Sequence, residues 1–514
     1  MKRNNLVTAV LAGVAGIAGI ASSAQAVNIN PDGLGQVLIY PYYTTNNGLQ
    51  TVLSVVNTTD EAKAVKVRFL ESLNSREVLD FNLYMSAYDV WTAALYDNAG
   101  VPTMETVDSS CTVPYFFSNS MGIQPFLNFA YSGPNADADP ERASITRASE
   151  GHFEVIEMGA MFGPSAAAAT HVQPGAGPNQ QLPADCAALV AAWSIVDDVD
   201  GYWLADSSVD ISAPTGGLFG GAALINVGEG TMFSYDAKAI NGFWDDSVSA
   251  GVRHSGPGDE LPSLTSGQAT TANLFDDQGN ALALTYTSSI EAVSALFMHD
   301  SVMNEYAIIA GLAARSEWIL TFPTKRFYID PAFAGVGVPI APFTDALRTN
   351  ATACEDLSID FWDREEGVPT ATPGSTVPLP SPLPPVIIPD VISFELCAET
   401  NVIRFDERED APDDQQTPAA PIVGTNGFDS LVTFTLPIGY DAGWARIDMP
   451  LNRDNAGILQ PNRMDAQGLL GLPVVGFWFE SFTNGNLNGG TVLANYGGIF
   501  EHKGTRQQVI IATQ

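Results

Sequence analysis

Between Gly35 and Tyr96 the chain repeats one pattern: short runs with an apolar residue at every second position, separated by turn residues. Val65, Val67 and Phe69 alternate with Lys66 and Arg68, and Leu79, Phe81, Leu83 and Met85 alternate with Asp80, Asn82 and Tyr84. A period of two sends successive side chains to opposite faces of a strand, so one face is expected to be buried and the other wet. Gln36–Tyr43 (QVLIYPYY) and Thr51–Val56 (TVLSVV) read as further strands. Asn46-Asn47-Gly48 and Asn57-Thr58-Thr59-Asp60 read as turns. Short strands at roughly ten-residue spacing indicate antiparallel sandwich domains, with Trp91 in the first core.

The rest of the chain continues in the same style. His152–Met158, Ala222–Val227, Thr231–Tyr235, Ala281–Thr287 and Trp318–Phe322 read as strands. Beyond them, Val391–Leu396, Val402–Phe405, Leu431–Leu436, Trp444–Met449 and Val474–Phe482 do the same. Pro183–Trp193 is the clearest short helix, with Pro suited to the first turn and Asp185 to the N-terminal dipole. The spacing of Ile290, Val293 and Phe297 favours a second helix. The fold class expected is mainly β, with a few short helices. Residues 367–389 differ: they hold eight prolines and no charged side chain, so they cannot run inside a sheet. They read as a linker or a projecting loop. The organisation expected is a leader over 1–26, an N-terminal β-sandwich domain over 27–132 and a central β-rich domain over 133–366. The Pro-rich segment and a C-terminal β-rich domain over 390–514 follow.

The leader expectation rests on Lys2 and Arg3, an apolar stretch from Leu6 to Ala21, and Ala24-Gln25-Ala26, which fits an A-x-A cleavage pattern. About 16 apolar residues fall short of the roughly 20 that span a bilayer. No later segment reads as a membrane-spanning helix, so insertion in the membrane is not expected. Export gives meaning to the charge balance. The chain has 58 acidic and 22 basic side chains, a formal charge of −36, and 46% hydrophobic residues. That hydrophobic content excludes disorder. The acidic excess excludes a nucleic-acid partner, because nothing could neutralise a run of phosphates.

Four cysteines, Cys111, Cys186, Cys354 and Cys397, lie beyond the leader. An even count in an exported chain argues for disulfides. Of the three pairings, Cys111–Cys186 with Cys354–Cys397 is favoured, because each pair stays within one region. Zinc finds no support, since no C-x-x-C occurs and no histidine lies near a cysteine.

No H-E-x-x-H, nucleophile elbow, Walker A or Rossmann pattern occurs. His254-Ser255-Gly256 sets a serine beside a histidine in a Gly- and Pro-rich loop. The five histidines, His152, His171, His254, His299 and His502, are not spaced as a metal pair. No catalytic residue is therefore assigned. A polysaccharide hydrolase would need two carboxyl groups facing across a cleft, with a tryptophan to stack on sugar. Calcium is the best-motivated ligand, because hard cations take several oxygens from a short loop. Asp137 and Asp139, within Asn135–Glu141, and Asp198 and Asp200, beside Asp197 and Gly201, are the candidate ligands. Neither loop completes an EF-hand.

Two stretches resemble a known group. Ile29–Tyr43 (INPDGLGQVLIYPYY), with the turn after it and Ser54–Thr59 (SVVNTT), is one. Trp318–Asp330 (WILTFPTKRFYID) is the other. Together they resemble uncharacterised exported, cell-surface-type proteins of Gram-negative bacteria, over about the first two-thirds of the chain. The run from VVNTT to VRF also resembles Ig-like domains. The resemblance implies an exported protein at the cell surface or outside the cell and carries no catalytic residue. The role expected is structural or adhesive, with cell-surface components, polysaccharide or further copies of the chain as partners. The alternatives are a secreted polysaccharide hydrolase and an outer-membrane β-barrel.

Overall fold

A computed structural model describes residues 26–510 apart from 117–121, 138, 175–180, 197, 245–252, 336, 350, 368–391, 408–419, 426–428, 437–438, 451–461 and 488–490. The leader reading over 1–26 thus lies almost wholly outside the described residues, and so does most of the Pro-rich segment. The described chain is mainly β, with a few short helices. Four sheets carry it: sheet I of nine strands, sheet II of six, and sheets III and IV of five each. Pairing is antiparallel except where Ala26–Ile29 meets Thr271–Phe275 and Thr400–Glu407 meets Leu431–Leu436.

Sheets I and II share one core. Val37–Thr44, Ala62–Glu71, Glu77–Met85 and Glu150–Met161 lie in sheet I, and Leu49–Asn57, Val90–Asn98 and Leu218–Asn226 in sheet II. Tyr40, Val67, Phe69, Phe81 and Phe153 meet Leu53, Val55, Trp91 and Leu224 between them. Trp91 is fully buried there. The turn at Asn46–Gly48 forms with positive φ at Asn47 (52°) and Gly48 (72°). It does not close a hairpin. Val37–Thr44 pairs within sheet I and Leu49–Asn57 within sheet II, so the turn hands the chain from one layer to the other. The same turn reaches a distant segment, where Asn47 Nδ2 donates to the carbonyls of Pro421 (2.7 Å) and Ile422 (2.9 Å).

The expected boundaries at 132 and 366 do not follow the hydrogen bonding. Glu150–Met161 lies between Val37–Thr44 and Ala62–Glu71, and Leu218–Asn226 pairs with Leu49–Asn57. Sheet III joins Ser301–Ala307 and Glu355–Asp363 to Ile392–Leu396 and Ala442–Asp448. In sheet IV, Ala314–Thr321 sits between Thr400–Glu407 and Val475–Leu487. Strands of one sheet share main-chain hydrogen bonds, so a domain boundary cannot run between them. Alternate residues of Ala314–Thr321 serve different cores. Trp318 packs with Phe405 and Ile447, while Ile319 packs with Phe477, Phe479 and Tyr42.

The Pro-rich segment is the connection between Glu355–Asp363 and Ile392–Leu396. These strands pair antiparallel, and the Cys354–Cys397 bridge ties the same two ends. The residues that flank the segment are thereby held together, and the segment itself, from 368 to 391, lies outside the described residues. The two expected helices form as Cys186–Ala192, capped by Asp185 on the backbone N–H of Ala188 (3.0 Å), and Ser289–Ala295, capped by a Ser288–Glu291 box.

Candidate functional site

Strand Ala62–Glu71 turns Val65, Val67 and Phe69 into the core between sheets I and II. Lys66 and Arg68 point the other way. The register sets Arg68 opposite Glu154 on one neighbour and Asp80 on the other, and Lys66 opposite Asn82. The alternation predicts a wet face here, yet Lys66 is 0% exposed and Arg68 2%. The difference has a physical cause: residues 253–263 lie across this face. Lys66 Nζ donates to Asp80 Oδ2 (2.9 Å) and to the carbonyls of Gly256 (2.7 Å) and Asp259 (3.3 Å). Burial lowers its pKa, and the Asp80 carboxylate pulls it back up. Asn82 Nδ2 donates to the Ser255 carbonyl (2.9 Å), and Gly258 N–H donates to Asp80 Oδ2 (2.8 Å). Arg68 Nε donates to Glu77 Oε2 (2.8 Å) and its Nη1 to Glu154 Oε2 (3.2 Å). Burial raises Glu154, and Arg68 opposes the rise.

Where the cover ends, a cavity of about 620 Å³ opens, lined by Arg68, Ser255, Asp259, Glu260, Leu261, Ser263, Arg326, Phe327 and Phe333. That size lies within the range of roughly 300–1,000 Å³ typical of small-molecule sites. Arg326 and Phe327 come from the short helix Arg326–Ile329, and Phe333 from Pro331–Ala334. Arg326 is 5% exposed. Its Nη1 donates to the Ser75 carbonyl (2.8 Å), and its guanidinium lies 4.2 Å over the Phe333 ring. Its ion pair, to Glu260, is long at 4.0 Å, and Glu260 is 62% exposed. Its Nε is buried without a hydrogen-bond partner among the described residues. Burial first, and the nearby Arg68 cation second, lower the Arg326 pKa. The cavity therefore has a floor of two arginines, of which Arg326 has only a long ion pair, an aromatic wall, and an acidic rim at Asp259 and Glu260.

His254 and Ser255 do not act on each other. The His254 ring sets Nδ1 2.8 Å from the Ser207 carbonyl and Nε2 3.1 Å from the Tyr84 hydroxyl. Trp193 Nε1 donates to the same hydroxyl (2.7 Å). Ser255 Oγ donates to the Leu261 carbonyl. The histidine is held in an aromatic nest with Trp193 and Trp203.

The candidate calcium ligands fall in two places. Asp137 binds Arg147 (2.6 Å), and Asp139 accepts from Glu141 N–H (3.1 Å) and binds Arg142 (3.3 Å). In the structure both carboxylates are engaged by guanidinium groups. Asp198 and Asp200 are exposed, at and after the turn of the short hairpin between Ile195–Val196 and Val199–Asp200. Asp197 lies outside the described residues. Among the described residues, the one group of three possible metal ligands is Cys354, Glu395 and Cys397, and its two sulfurs are bonded to each other. The other bridge joins Cys111 to Cys186. Of the tryptophans that could stack on a sugar, Trp91, Trp203, Trp244, Trp318 and Trp478 are buried. Trp444 is 38% exposed but stacks on Trp362, with ring centroids 4.0 Å apart.

The residues that line the cavity are absent from the sequence-based candidates. The signal for two of them was present: Arg326 and Phe327 belong to the Trp318–Asp330 stretch that carries the resemblance. No spacing rule brings residue 68 to residue 326. No protein-family model, no curated protein and no solved structure matches this chain.

Proposed function

We propose that the chain is an exported protein of the cell surface or extracellular space, structural or adhesive in role, with no catalytic step. The observation that supports this most is the engagement of the interior carboxylates. Glu71, Glu154, Glu157, Glu317 and Glu355 each bind a lysine or arginine. A glycosidase instead needs two carboxyl groups free to act on substrate from opposite sides of a cleft. At the cavity, Asp259 and Glu260 are consecutive residues of one loop. The A-x-A leader pattern and the two disulfides support export. Among the described residues no helix is long and apolar enough to cross a membrane. The core shared by sheets I and II supports an Ig-like layering of the first half. Cell-surface components, polysaccharide or further copies of the chain are the partners that fit this reading.

The test is fractionation of cells producing the full-length chain, followed by assays on the purified product. The expected product begins at Val27, is found at the surface or in the medium, and binds cells or self-associates without releasing reducing ends from polysaccharide. Reducing-end release that disappears on substitution of Asp259 and Glu260 would refute the non-catalytic reading. Retention of residues 1–26 in a cytoplasmic product would refute export.

A further inference from the structure

The reading above gives the cavity beneath the loop 253–263 no ligand. We propose that it binds a small organic monocarboxylate with an apolar, preferably aromatic, body. The carboxylate would sit on Arg326, and the hydrocarbon part between Phe327, Phe333 and Leu261.

Three observations carry this. First, Arg326 is only 5% exposed, lines the cavity, and has a buried Nε that meets no acceptor among the described residues. A buried donor left without an acceptor is costly, and a carboxylate is the acceptor shaped to meet a guanidinium edge. Second, the carboxylate now nearest to it, Glu260, stands 4.0 Å away and is 62% exposed, so it can move into water when a ligand arrives. Arg68, the other cation of the floor, is already held by Glu77 and Glu154, which leaves Arg326 as the guanidinium without a close carboxylate. Third, the walls choose among anions. Phe327 and Phe333 offer apolar surface, with Phe333 fixed under the Arg326 guanidinium. Asp259 and Glu260 at the rim repel a dianion more than a monoanion. Inorganic phosphate and sulfate are disfavoured on both counts.

The experiment is calorimetric titration of the disulfide-intact, purified chain with phenylacetate, phenylacetamide and inorganic phosphate. Phenylacetate is expected to bind at one site. Phenylacetamide, the same shape without charge, is expected to bind at least about tenfold more weakly, the lower end of a charge-assisted hydrogen bond. Phosphate is expected to give no saturable heat. Arg326→Gln should abolish phenylacetate binding. Because Arg326 also holds the Ser75 carbonyl, Glu260→Gln serves as the second variant: it alters an exposed side chain and should tighten phenylacetate severalfold by removing the competing carboxylate. The proposal is overturned if folded wild-type protein binds no phenylacetate, or if the amide or phosphate binds as well as phenylacetate. It is also overturned if Glu260→Gln leaves the affinity unchanged. None of these results bears on export or adhesion.

Discussion

Replacing Arg147 tests whether interior charge pairs, rather than bound cations, hold this molecule together. Arg147 is fully buried. Its Nε and Nη2 donate to the two oxygens of Glu71 (2.7 and 3.0 Å), its Nη1 donates to Asp137 (2.6 Å), and its guanidinium lies 4.4 Å over the Tyr131 ring. Arg147→Met keeps the apolar stem and removes the charge, leaving the Glu71 carboxylate without its cation. Breaking a buried pair on one side costs roughly 3–5 kcal/mol. Glu71 also accepts from the backbone N–H groups of Leu73 (2.7 Å), Asn74 (3.1 Å) and Arg76 (2.9 Å), which places the cost near the lower end, about 3 kcal/mol. Asp137→Asn keeps an acceptor and leaves the Glu71 pair intact, so its cost should be about 1–2 kcal/mol. Urea unfolding followed by tryptophan fluorescence and far-UV dichroism measures both, with coincident transitions as the check on a single cooperative step. The Asp137→Asn loss should be the same in excess calcium and in chelator. A further signature is the pH dependence. Burial raises the Glu71 pKa, but Arg147 and the backbone donors outweigh it, so the folded value lies below the usual carboxylate range. Its stabilisation is present above the unfolded value and is lost as pH falls through the folded one, so the Arg147→Met protein should show a shallower acid loss in that window. A cost for Arg147→Met below about 1 kcal/mol would refute this account. So would an Asp137→Asn protein that differs from wild type only when calcium is present.

Two further outcomes are expected. Burial holds the His254 pKa down at about 4, so its ring should titrate near pH 4 by NMR. The unfolded ring gains its proton near 6.5, so this residue withdraws stability as pH falls from about 6.5 to 4; a midpoint near 6.5 in the folded protein would place the ring in water. Cys111→Ser with Cys186→Ser opens a loop of 75 residues and should cost about 4 kcal/mol in urea unfolding. A change below about 1 kcal/mol would show that the bridge does not constrain the unfolded chain.

Local pattern made the strands legible and left their partners hidden. QVLIYPYY reads as a strand from its apolar run, and the structure buries every residue of Val37–Thr44 because cores lie on both its faces. Asn46-Asn47-Gly48 reads as a turn because two successive positive φ angles suit Asn and Gly. Whether such a turn closes a hairpin or changes layer depends on Glu150–Met161 and Leu218–Asn226, strands about a hundred residues or more away. The acidic loops show the same limit. Asp137 and Asp139 have the oxygen spacing a calcium loop uses, but what binds them is Arg142 and Arg147, a few residues on along the chain.

The wet face that the alternation predicted is the most instructive difference, because it bears on how an acidic chain holds its interior together. A net charge of −36 leaves few cations, and several of them are spent inside: Lys63, Lys66, Arg68, Arg147, Lys325, Arg326 and Arg463 are all buried. Each must find acceptors or cost several kcal/mol, so each fixes the segment that supplies them. Lys66 fixes the loop at Gly256 and Asp259, Lys63 fixes Thr215 through Glu157, and Lys325 fixes the carbonyls of Ala353 and Ala398 beside the Cys354–Cys397 bridge. In this way scarce cations set which distant loops close over sheet I. Arg326 is the exception in that set, held by one carbonyl and a long ion pair, and it borders the large cavity together with the fully paired Arg68.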